Sequence, residues 1–169
     1  SRVDTVVFDK TGTLTEGAPR VVAVLPEPGM NADELVEMAA ALEQGSEHPV
    51  GKAVYEHARL LELPIRAVAD LSVVPGRGIS GVVDGVPYAV GNPGFMQDKG
   101  ISWKEEEGRL REFMRQGASP LYIGRGDRPA GVIMVADSLK PDSRAAVDYL
   151  KRMNLRVVML TGDNAATAR

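Results

Sequence analysis

Asp9-Lys10-Thr11-Gly12-Thr13-Leu14-Thr15 follows directly on the apolar run Val6-Val7-Phe8. A carboxylate delivered to the end of a strand, with an ammonium and three hydroxyls beside it, can attack phosphorus and form an acyl phosphate. Lys10 supplies a compact positive charge for that step, and a hard cation such as Mg²⁺ neutralises the charge that develops. Thr161-Gly162-Asp163-Asn164 follows another apolar run, residues 156–160, and offers a hydroxyl and a backbone N–H to the same phosphoryl oxygens. An isolated Asp after a strand is ordinarily a turn cap. Two such clusters at two strand ends favour phosphoryl chemistry, because sites of open parallel sheets form beyond the carboxyl ends of their strands.

The elements that must position these clusters read as a βαβ unit. Residues 2–9 predict a buried strand, 130–136 a second, 141–153 a helix opened by Pro141, and 156–160 a third strand. Strand, helix, strand assigns these pieces to one doubly wound parallel layer. Between them the pattern changes. Asn31 and Glu34 form a capping box ahead of an apolar stripe at Leu35, Met38, Ala39 and Leu42, which Gly45 can end. Pro49 opens a helix with Val50, Ala53, Val54, His57 and Leu61 on one face. Residues 71–74, 79–83 and 86–90 predict strands, the last two joined by the hairpin signal Asp84-Gly85. Ser102 and Glu105 cap a helix to about Gln116, and 121–124 adds a strand. The fold class is therefore α/β: a doubly wound parallel sheet over 1–16 and 128–169, with an α+β domain containing an antiparallel sheet flanked by helices inserted at 17–127.

Composition sets limits. The 169 residues are 44% hydrophobic and 25% charged, as in a globular protein. A net charge of −3 gives no basic footprint for a nucleic-acid partner. There is no cysteine, so any metal must sit on oxygen or nitrogen. No apolar run approaches the roughly 20 residues needed to span a bilayer.

The motif Asp9-Lys10-Thr11-Gly12-Thr13-Leu14-Thr15 resembles the phosphorylation motif of P-type ATPases, and Thr161-Gly162-Asp163-Asn164 resembles that family's second phosphate-binding loop. The resemblance implies a haloacid-dehalogenase-like fold for the parallel layer, here an incomplete phosphorylation domain. It makes Asp9 the nucleophile, lets Lys10, Thr161 and Gly162 contact phosphate, places Asp163 at the phosphate and hinge region, and gives Mg²⁺ to Asp9 and Thr11. Soluble phosphatases of this fold carry a second Asp two residues after the nucleophile, where this chain has Thr11. Water attack then lacks its base, and a longer-lived phosphoenzyme is expected.

Ser46-Glu47-His48-Pro49 narrows the resemblance to the heavy-metal branch. A single His-Pro pair is ordinarily a cap; the branch implies that His48, Glu43, Gly76 and Gly78 bind the adenine and ribose side of ATP, with Gly91 and Asn92 as a further nucleotide-contacting pair. Gly76, Gly78 and Gly81 also satisfy G-x-G-x-x-G, but Val82-Val83-Asp84-Gly85 follows where a dinucleotide fold needs a helix, so that reading is rejected. The expected activity is ATP-driven export of a transition metal, Cu(I) first and Zn²⁺ or Cd²⁺ as alternatives. The partners are ATP, Mg²⁺ and the remaining domains of a longer polypeptide. This chain is expected to be the cytoplasmic portion of an integral membrane protein, with little turnover of its own. A soluble phosphatase and a non-catalytic nucleotide-binding module are the rival readings.

Overall fold

The computed structural model describes residues 4–9, 13–103 and 107–160. Two sheets are present among them. Strand β1 (Thr5–Asp9) pairs in parallel with β8 (Arg156–Leu160), placing Asp9 opposite Leu160. The other sheet has six strands in the order β2-β7-β6-β5-β4-β3, all antiparallel: β2 (Thr15–Pro26), β3 (Ala69–Val74), β4 (Gly78–Val83), β5 (Val86–Gly91), β6 (Ser119–Arg125) and β7 (Arg128–Leu139).

Helices α1 (Ala32–Leu42) and α2 (Pro49–Leu60) cover one face of that sheet. Asn31 caps α1, its Oδ1 accepting from the Glu34 N–H at 2.7 Å, and Leu35, Met38, Ala39 and Leu42 are buried as their spacing predicts. In α2 the buried face is Gly51, Ala53, Val54 and Ala58; Leu61, expected on it, lies just past the helix and is largely exposed. Helices α3 (Pro93–Asp98) and α4 (Glu107–Arg115) cover the opposite face, where Phe95 and Met96 pack on Ala89, and Phe113 and Met114 on Val132 and Met134. The β4–β5 hairpin turns on Asp84 (φ +49°) and Gly85 (φ +78°), the two positive φ values of a type I′ turn.

One expectation is corrected. Residues 130–136 belong to β7, in the antiparallel sheet between β2 and β6, not to the parallel layer. The run reads as a continuous apolar strand because both of its faces are covered: Ile133 and Val135 pack with α1 and α2, Val132 and Met134 with α4. A second concerns β1, expected to be buried. It alternates between exposed and half-buried residues, since a two-stranded ribbon leaves surface uncovered.

The sheets are joined by two crossings held side by side. Thr15 pairs with Leu139. The Leu14 carbonyl accepts from the Lys140 N–H at 2.9 Å and from the buried Ser143 hydroxyl at 2.7 Å, in the first turn of α5 (Pro141–Arg152). Asp137 Oδ1 accepts from the Ala18 N–H at 3.2 Å, where β2 breaks register between Thr15 and Pro19.

Candidate functional site

A cavity of about 650 Å³ opens between the start of α2 and the β3–β4 end of the six-stranded sheet. Glu43, His48, Gly76, Gly78, Gly91 and Asn92 all line it. They come from three separate stretches of chain, and the fold brings them together.

His48 is the N-cap of α2. Its Nδ1 accepts from the Val50 N–H at 3.3 Å, so the neutral ring carries its proton on Nε2, leaving a donor for a ligand. Pro49 follows it at the helix start, where the missing N–H costs nothing. The His48 N–H donates to Ser46 Oγ at 3.2 Å, and the Ser46 hydroxyl is hydrogen-bonded to the Glu43 carboxylate. Burial pushes the Glu43 carboxyl above its ordinary value of 4.5; the Ser46 hydrogen bond and the nearby His48 act in the opposite direction without cancelling the rise. Glu43 and the capping histidine line the cavity together with a mostly apolar wall of Leu71, Val73, Ile79 and Val90.

The Gly76 and Gly78 positions differ in kind. Val74 O accepts from the Arg77 N–H at 3.0 Å, and Gly76 has φ +71°; with Pro75 before it, this is the chemistry of a type II turn. A Cβ on Gly76 would meet nothing within 4 Å, so this glycine presents open backbone to the cavity. Gly78 pairs across strands with Gly91, and a Cβ on either would overlap the Phe95 ring and a carbonyl oxygen, that of Val90 or of Arg77. These two are glycine because of the protein's own packing. Asn92 caps α3, and Arg77 forms an ion pair with Asp98 at the end of that helix. Gly81 would meet Val68 and Ala69 and has a packing role; β4 runs on past it with no helix, as expected.

Asp9 is not part of this cavity. It is the last residue of β1 and is exposed. Lys10, Thr11, Thr161, Gly162 and Asp163 lie outside the described residues. Sequence reasoning missed the apolar wall: Leu71 and Val73 alternate on the edge strand β3 with exposures of 49% and 62%, and an apolar period-2 pattern on an uncovered strand beside a Gly-x-Gly turn was the available signal.

With this geometry in place, comparison with known proteins is informative. The model of haloacid dehalogenase-like hydrolases matches residues 3–169. The chain belongs to that family. Within haloacid dehalogenase-like hydrolases it is homologous to P-type ATPases. It is 39% identical over 166 residues to the copper-exporting P-type ATPase B of Archaeoglobus fulgidus, an alignment covering 97% of this chain and 23% of that protein. It superposes on a zinc-transporting PIB-type ATPase, solved in its E2.Pi state, with a TM-score of 0.77 and 35% identity, covering 99% of this chain and 27% of the other. The N-domain of HMA6, a copper-transporting P-type ATPase, matches 70% of this chain over 98% of its own length, with a TM-score of 0.58 and 27% identity. The chain spans about a quarter of the length of the first two. No helix among the described residues is long and apolar enough to cross a membrane.

Proposed function

We propose that this chain is the ATP-binding and phosphorylated region of a heavy-metal P-type ATPase. ATP held in the cavity transfers its γ-phosphoryl to Asp9, and the phosphoenzyme drives export of a transition metal through membrane helices elsewhere in the polypeptide. The observation that carries this reading is the convergence of Glu43, His48, Gly76, Gly78, Gly91 and Asn92 on one cavity. Its volume and its apolar walls with a few polar groups suit a nucleoside. A purine fits between Leu71, Val73 and Ile79, with the His48 Nε2–H and the Glu43 carboxyl as polar contacts, and Gly76 allows the backbone a close approach.

The division of labour follows the two sheets. The junction is best placed at the Thr15–Leu139 pair, which assigns β2 and β7 to the nucleotide-binding domain and moves its limits outward from 17 and 127. The phosphorylation domain is then β1, α5, β8 and the flanking residues. Mg²⁺ would be held by Asp9, a hard oxygen donor, together with Thr11, and would supply charge neutralisation at the phosphoryl group. Lys10, Thr161, Gly162 and Asp163 are proposed for phosphate contact on the strength of their motifs. The chain would lie on the cytoplasmic side of a cell membrane, with the actuator and membrane domains as partners. Copper is the first choice of cargo and zinc or cadmium the alternative.

Trapping decides it. The complete ATPase, given ATP labelled at the γ-phosphate and quenched in acid, incorporates label, and the Asp9→Asn variant incorporates none. Undiminished acid-stable label in that variant would place the phosphate on another residue and refute the proposal.

A further inference from the structure

Asn92 stitches two elements together by hydrogen bonds, its carbonyl accepting from the Met96 N–H of α3 at 3.1 Å. Its Oδ1 accepts from the Phe95 N–H at 2.9 Å, capping α3. Its Nδ2 donates to the Gly76 carbonyl at 3.1 Å, and its backbone N–H donates to the Arg77 carbonyl at 2.9 Å. The orientation of the amide is fixed by its partners, since Phe95 N–H can only donate and Gly76 O can only accept. Of the acidic and amide side chains this short, only asparagine satisfies both. Beneath the turn, Phe95 is buried at 2% exposure and fills the space that side chains at 78 and 91 would need.

We propose that Asn92 is a positioning residue. It acts on nucleotide affinity through the Pro75-Gly76-Arg77 turn, which it ties to α3 over the Phe95 ring, and not by touching the nucleotide. This rests on the reading of the cavity as the nucleotide site. One N–H of the amide and its oxygen are already engaged by the protein, on Gly76 and Phe95, before any ligand arrives. At this corner of the cavity the backbone of Gly76 lies beside Asn92 and is held at one height by its amide.

Asn92→Asp isolates the effect. Aspartate caps a helix as well as asparagine does, so α3 is kept, but a carboxylate cannot donate to the Gly76 carbonyl and stands against it. Affinities for ATP, ADP and adenosine, measured by calorimetry on the 169-residue chain, should all fall by a common factor of about tenfold. Asn92→Ser, which keeps a cap oxygen and adds no charge, should shift all three in the same way. In the nucleotide-free state, amide exchange at Arg77 and Gly78 should quicken in both variants. Unchanged affinities overturn the proposal. So does a loss confined to ATP and ADP, which charge repulsion on the phosphates would explain. Weakened binding with unaltered exchange in the free state also overturns it, because a direct contact leaves the empty turn as it was. If the unaltered chain binds none of the three ligands, the nucleotide reading fails instead, and the exchange rates still decide whether Asn92 sets the turn.

Discussion

The six-stranded sheet and the β1–β8 ribbon solve different problems. Strands β5, β6 and β7 are covered on both faces, and α1 contributes a row of side chains such as Leu35 and Leu42 with no exposed surface. Among the described residues the ribbon has two strands and one helix, and Val7 in its centre is 53% exposed. Every described residue of the cavity hangs from the well-packed sheet or from α1, α2 and α3 against it, whereas Asp9 ends the ribbon. A binding pocket must be rigid before its ligand comes, and here it is built on its own core. Asp9, the phosphate acceptor of the proposed function, instead stands exposed at a strand end. Recognition and chemistry are therefore separable, and each can be altered without the other.

The largest effect is expected where they separate. Asp9→Asn abolishes phosphoenzyme in the complete ATPase yet leaves ATP affinity of the 169-residue chain unchanged by calorimetry. A matching loss of affinity would mean that Asp9 and the cavity form one site in the free chain. Next comes packing: Leu42→Ala, at 0% exposure, should cost about 2–5 kcal/mol in urea unfolding, while Val7→Ala should stay within about 0.5 kcal/mol. Equal costs would show that the ribbon carries stability its exposure does not suggest. His48→Ala should weaken ATP by about 1–3 kcal/mol, the range of a polar contact whose partner is left unsatisfied. Affinity unmoved by that change removes His48 from the site.

The smallest effect is a pH dependence. The Glu43 carboxyl is raised in the folded chain by burial, so its ionised form costs stability. That cost is complete above the raised value and disappears as pH falls through it towards the ordinary 4.5. Glu43→Gln should therefore unfold at higher urea than the unaltered chain at neutral pH, with the gap closing on acidification. A gap that does not change with pH would leave burial of the charge without a role.

Much of this architecture was legible in the residues. Asn31, the Asp84-Gly85 turn and Pro49 act locally, through one hydrogen bond or one dihedral angle, and each stands where its chemistry predicts. The six cavity residues were nameable only through the resemblance to the heavy-metal branch, since a single His-Pro pair is ordinarily a cap. Strand β2 was not legible. It is an edge strand with Pro19 inside it and breaks in register at Thr15/Pro19 and Val21/Ala23, so neither alternation nor composition marks it. Helix α3, from Pro93 to Asp98, is too short for a periodic signal. The partner of β7 was misjudged for a more general reason: a continuous apolar run reports two covered faces and says nothing about the direction of its neighbours.

The most direct test of the account is a titration of the isotope-labelled 169-residue chain with ATP, followed through its backbone amide resonances. Shifts should concentrate at Glu43 to His48, Gly76 to Gly78, and Gly91 and Asn92, with Thr5 to Phe8 unmoved. Saturable shifts centred on another surface, or none at millimolar ATP, would contradict it.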